Sequence, residues 1–134
     1  MIGNSIASAL IQKALDGTWQ RQKAIAANIA NHETPGYKAV KVSFEEALEN
    51  EVKRLGTTSM SNGSGNNDPY MSIQNSRIRF LTDQSGSERA DGNNVNLESE
   101  NIDMAKTQIQ YQYLTRAMTD FYSRLRYAIS EGKR

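Results

Sequence analysis

Apolar positions gather in two long helical rows, one at each end of the chain, with a polar stretch between them. Ile11, Leu15, Thr18, Gln22, Ile25 and Ile29 step by three and four residues, the spacing of one helix face. Ile2, Ile6, Leu10 and Ala14 form a second row on a neighbouring flank, so the helix expected over about residues 2–31 has apolar surface for more than one partner. Ala24, Ala26, Ala27 and Ala30 favour helix and let another backbone come close. Gly17 is the one weak point in this pattern.

At the other end, heptad steps from Leu97 reach Met104, Tyr111, Met118 and Leu125, and steps from Glu100 reach Thr107, Leu114, Phe121 and Ala128. The row becomes more apolar towards the C-terminus. Asn96 is the expected N-cap, with Glu98 and Glu100 facing the positive end of the helix dipole. A helix from Leu97 to about Glu131 is about 50 Å long. A compact domain of this size is only roughly 36 Å across. Such a helix either breaks or packs beside other copies.

The middle is punctuated by turns. Thr34-Pro35-Gly36-Tyr37 places Pro and Gly at the central positions a type II turn prefers, which ends the first helix. Asn28 and Asn31 can tie loose carbonyls at that helix end. Residues 37–42 should be extended. Ser43 and Glu46 read as a capping box for a short helix with the stripe Phe44, Ala47, Leu48, Val52 and Leu55, an ion pair between Glu49 and Lys53, and Gly56 as its closing residue. From Gly56 to Pro69 only Met60 is a large apolar residue, a composition that predicts a mobile loop. Arg77–Leu81 reads as a single edge strand and Asp91-Gly92-Asn93-Asn94 as a turn. The expected fold is therefore mainly α: long terminal helices paired as an elongated, coiled-coil-like hairpin, a short middle helix and a β-poor insert. Residues 1–55 and 96–134 would form the helical core, and 56–95 a flexible, turn-rich surface.

Charge and composition narrow the function. The 134 residues hold 16 Lys and Arg against 15 Asp and Glu, a net charge of +1 that offers no footprint for nucleic acid or for direct lipid binding. Only 37% of residues are hydrophobic, lean for a self-sufficient core. No apolar run is long enough to span a membrane, and the N-terminus lacks the pattern of a cleaved signal. With no cysteine and one histidine, thiol chemistry is excluded and no metal site is expected. His32 reads as a solvated or capping residue rather than part of a triad. Asp91-Gly92-Asn93 opens like a calcium loop, but Asn96 and Ile102 stand where Gly and the bidentate Glu are needed. Tyr111, Tyr113, Phe121, Tyr122 and Tyr127 read as helix-packing aromatics rather than a base-stacking platform. No catalytic residue and no cofactor is expected.

The run Asn28-Ile29-Ala30-Asn31-His32-Glu33-Thr34-Pro35-Gly36-Tyr37-Lys38, with Phe44 and Leu48 beyond it, resembles the N-terminal signature of the bacterial flagellar axial proteins, the rod and hook family. His32 stands where that family often has a small or acidic residue. The stretch Asp91–Val95, the run Tyr111–Arg116 and the ending Leu125–Gly132 resemble its proximal basal-body rod members. The resemblance implies a non-catalytic building block, exported unfolded through the flagellar type III apparatus without signal cleavage. Its terminal helices would pack in the wall of a tubular rod crossing the periplasm. It further implies self-association in a helical tube, with other flagellar rod proteins, the rod-adaptor protein FliE and the membrane-ring and export-gate region as neighbours. Asn28, Ile29, Ala30, Asn31, Thr34, Pro35, Gly36 and Tyr37 would form the assembly and turn motif. Ile11, Leu15, Ile25, Ile29, Leu97, Met104, Tyr111, Leu114, Met118, Phe121 and Leu125 would form the helix-packing stripe. The same stripes would also serve a soluble helical adaptor or chaperone of a secretion system.

Overall fold

The computed structural model describes residues 5–58, 68–87 and 89–132, so Ile2, Met60 and the heart of the polar loop lie outside the described residues. In chain order the elements are α1 (Ile6–Ala30), β1 (Val40–Ser43), α2 (Glu45–Thr58), α3 (Pro69–Gln74), β2 (Arg79–Thr82) and α4 (Leu97–Glu131). The mainly helical fold with long terminal helices and a short middle helix is what the apolar periodicity predicts.

Both long helices are capped at their starts. The Ser5 side chain accepts from Ser8 N, and the Asn96 side chain accepts from Ser99 N, satisfying donors the helices leave free. The helices run antiparallel. Asn28, near the end of α1, reaches Glu100 in the first turn of α4, and Trp19 lies 6.4 Å, ring to ring, from Tyr111 further along. Thr18 and Thr107 are fully buried between them, each hydroxyl donating to the carbonyl four residues back (Ala14 at 2.7 Å, Asp103 at 2.6 Å). Small side chains with internally satisfied hydroxyls let the two backbones approach.

β1 and β2 form a two-stranded antiparallel sheet with Val42 opposite Phe80 and Lys41 opposite Leu81. The edge strand expected at 77–81 is found at Arg79–Thr82, beginning two residues later and ending one later than predicted, and it pairs with β1. β1 lies against α1, where Arg21 Nη2 donates to the Val42 carbonyl at 2.8 Å and to Glu45 at 2.7 Å. Burial alone would raise the Glu45 carboxyl, but the Arg21 hydrogen bonds and charge hold it below its ordinary value. The Arg21 guanidinium also sits 4.7 Å above the Phe44 ring.

Four local expectations are corrected. Ser43 closes β1 and α2 begins at Glu45, the Phe44 carbonyl accepting the first helical bond from Leu48 N, so no Ser43–Glu46 capping box forms. Gly56 lies inside α2, which continues to Thr58. Within the supposed surface, Asp68 caps a helix, α3, whose Ile73 is completely buried against α1. Residues of low apolar content still supply one core anchor. Finally Gly17, the apparent flaw in α1, is where the Phe44 ring packs: a Cβ there would lie 2.3 Å from the ring. The missing side chain is the slot that seats Phe44. The Glu49–Lys53 pair forms as expected, at 2.7 Å.

Candidate functional site

Two turns meet where the helical pair is tied together. Tyr37 N donates to the Thr34 carbonyl at 3.2 Å across Pro35 and Gly36, and Gly36 has φ +72, the conformation that a type II turn demands. Gly92, at φ +80, backs onto it, and Gly36 N donates to the Asp91 carbonyl at 2.8 Å. The Asn93 side chain, fully buried, donates to the carbonyls of Asn31 and Thr34, both at 2.8 Å. Its oxygen accepts from Val95 N at 2.9 Å. Asn94 accepts from Ala39 N at 2.7 Å and donates to the Asp83 carbonyl. Lys38 Nζ reaches the Gly92 carbonyl at 2.7 Å, and Arg89 reaches the His32 carbonyl at 2.6 Å. The segment that resembled a calcium loop is a clasp joining the end of α1 to the start of α4.

Asn28 is the hub beneath this clasp. Its amide donates to the Val40 carbonyl at 2.9 Å and to Glu100 Oε2 at 3.2 Å. Its oxygen accepts from Val40 N and from Tyr37 Oη, both at 3.0 Å. Two donors and two lone pairs are all used. Asn31 ties the Ala27 carbonyl at 2.8 Å, as expected, whereas Asn28 does not serve the helix end at all. Glu100 is only 6% exposed and so is not simply a dipole-facing surface acid. Burial raises its carboxyl, with a further push from Asp103, against the Asn28 hydrogen bond and Lys41. Burial, and then the Glu100 charge, also raise the Tyr37 phenol.

The predicted packing positions divide. On α1, Ile25 is buried, while Ile11, Leu15 and Ile29 are half-buried; Ala30 is exposed. On α4, Met104, Leu114, Met118, Phe121 and Leu125 are half-buried, Tyr111 and Leu97 are exposed, and the buried positions are the polar Glu100 and Thr107. Thr34, Pro35 and Gly36 are exposed, and Tyr37 is half-buried. The apolar row strengthens towards the C-terminus while its cover weakens, because α1 stops first. Counting from the Asn28–Glu100 contact at equal rise, Ile6 stands opposite about residue 122. The sequence reading missed the outward-facing Ile102 (55% exposed) and Ile109 (68%) on α4. Tyr113 (72%) and Tyr127 (68%), expected as helix-packing aromatics, lie exposed with them in a second row that the described residues leave uncovered. The signal was present in the sequence, but it lies outside the heptad positions and carries Lys106, Arg116 and Asp120 among its members.

A groove of about 300 Å³ between α1, β1 and α4 is floored by Ala24, Ile25, Val40 and Val42 and rimmed by interleaved charges, including Arg21, Lys106 and Asp103. His32 lies outside it, with Nδ1 2.8 Å from the Ile29 carbonyl, in the capping role expected of it. Among the described residues no group of carboxylates and imidazoles is arranged to hold a metal ion, and no helix is long and apolar enough to cross a membrane.

Residues 7–38, which span α1 and the Thr34–Tyr37 turn, match the family model described as flagella basal body rod protein. The flagellar basal body rod protein FlgB of Bacillus subtilis is 33% identical over 123 residues, covering 92% of this chain and 92% of that protein. FlgB of Buchnera aphidicola is 35% identical over 105 residues (75% of this chain, 77% of that protein), and FlgB of Salmonella typhimurium is 30% identical over 105 residues (75% and 76%). A match that takes in the first helix and its turn, together with likeness along most of the length, places this chain in the flagellar basal body rod protein family.

Proposed function

We propose that this chain is a structural subunit of a bacterial flagellar basal-body rod, assembling through its terminal helices into a tubular drive shaft and export channel. The observation that carries this reading is the helical pair itself. It is locked at one end by the Asn28 hub and the double-turn clasp, while the far half of α4 holds apolar side chains that α1 does not cover. A surface of that kind gains stability when neighbouring helices bury it, at about 25 cal/mol per Å² of apolar area. The rigid end sets the angle of the subunit, and the uncovered end supplies the contacts. In this reading its work is mechanical, without catalysis.

Other basal-body components are its neighbours. The finer assignment includes the rod-adaptor FliE, the export-gate and membrane-ring region, and further copies of the chain in a helical tube. The subunit would stand in the periplasmic rod after export without a cleaved signal. Isolated basal bodies from a strain carrying a tagged copy test the reading: the chain should co-purify with the rod and localise beside the membrane ring. A strain lacking the chain should lose motility and the rod. Normal rods without it would overturn the assignment, and recovery only as a discrete monomer or dimer bound to export cargo would favour a secretion adaptor.

A further inference from the structure

The two-stranded sheet has one closed edge and one open edge. On β1, the N–H and C=O of Val40 bond to the Asn28 side chain, and the Val42 carbonyl accepts from Arg21. Those residues therefore point away from β2. Asp83 N donates to the Ala39 carbonyl at 2.7 Å, so residues 39, 41 and 43 face their partners 83, 81 and 79. By the same alternation, the backbone groups of Phe80 and Thr82 point outward. All four β2 residues are exposed, Phe80 by 58% and Leu81 by 52%. An open edge with two large apolar side chains is a template for another strand.

We propose that this edge pairs with the same edge of a second copy, antiparallel and about a two-fold axis, with Leu81 opposite Leu81 of the other copy. Outward-pointing residues must meet outward-pointing residues, and setting Phe80 against Thr82 does this on both sides of the axis. That register places Arg79 of each copy opposite Asp83 of the other, on the face that also carries Leu81. Arg79 forms no ion pair among the described residues, so the cross-strand contact gives it an opposite charge. Sliding by one step in either direction sets Phe80 against Phe80 or Thr82 against Thr82 and removes both Arg79–Asp83 contacts. The pairing is closed and does not use the helical faces assigned to rod assembly.

The chain has no cysteine, so each single-thiol variant reports one position. A residue facing its own copy in a non-hydrogen-bonded antiparallel pair has a Cα separation of about 4.5 Å, within reach of a disulfide. Under mild oxidation, full-length Leu81→Cys should form a disulfide dimer at least about tenfold faster than Phe80→Cys or Thr82→Cys, with circular dichroism checking that all three are folded. An interface this small is weak, so sedimentation of the parent chain should show reversible dimers only at roughly millimolar protein. Arg79→Asp and Asp83→Arg should each weaken the dimer several-fold, and combining them should restore it. Equal oxidation rates at 80, 81 and 82, or a strict monomer at that concentration, overturn the pairing. No rescue by the double variant overturns the register.

Discussion

Glu100 holds its carboxyl in a buried site between the helices. It is 6% exposed and rests on one side-chain hydrogen bond, from Asn28 at 3.2 Å. Burial comes first among the causes that lift its pKa above the ordinary 4.5. A carboxyl whose folded-state pKa is raised holds its proton more tightly in the folded chain. Its stabilising share is therefore complete below 4.5 and disappears as pH climbs through the raised value. Glu100→Gln keeps an oxygen for the Asn28 amide and removes the charge. The variant should be more stable than the parent at pH 7 and lose that advantage near pH 4, as urea midpoints at the two pH values will show. An advantage of equal size at both would refute the ionised-state penalty. Gly17 gives the opposite kind of test. Adding a methyl gains up to about 1 kcal/mol of helix propensity. It also meets the Phe44 ring at 2.3 Å, and overpacking of this kind costs about 1–3 kcal/mol. Gly17→Ala should lower the melting temperature; an increase would mean that Phe44 shifts aside freely.

At the scale of elements, the double-turn clasp decides where the chain goes after α1. The Thr34–Tyr37 turn is legible because Pro35 and Gly36 each meet a backbone requirement: one fixes φ, the other accepts φ +72. A β-branched residue at Gly36 has room for its side chain but not for its backbone conformation. Gly36→Val should therefore destabilise the chain by about 1–2 kcal/mol and Gly36→Asn by less, measured by equilibrium unfolding. In cells the Val variant should still be exported but join rods poorly. Equal losses for Val and Asn would mean that the positive φ is not what matters there. The partner turn is less legible. Asn93 and Asn94 mark a turn in any sequence, but their use as donors and acceptors for Asn31, Thr34, Ala39 and Asp83 depends on a distant segment arriving. Ser43 shows the converse. Its capping-box spacing is correct, yet pairing with Arg79 in the sheet claims it and the helix starts two residues later.

At the scale of the molecule, α4 has 35 residues against 25 in α1, so its last turns project past their partner. Phe121 and Leu125 are half-buried in the single chain. Their replacement by Ala should therefore change the stability of the isolated protein little. Once neighbours bury those side chains, each loss costs about 2–5 kcal/mol, so rod incorporation and motility should fall sharply. Similar losses in the free chain and in the rod would show that the sites are already buried before assembly.

The two long helices, their caps at Asn96 and after Ala30, and the Pro35–Gly36 bend followed from the sequence alone, because each depends on interactions among residues within a few positions of one another. The likeness to rod proteins was legible for the same reason: its signature occupies one continuous helix end and turn. Tertiary structure decided the rest. It turned Gly17 from a weak point into a seat for Phe44, made Asn28 a saturated hub, buried Glu100 beside it, and paired β1 with β2. Each of these joins residues far apart in the chain, and no periodicity within a segment records which distant surface will lie against it.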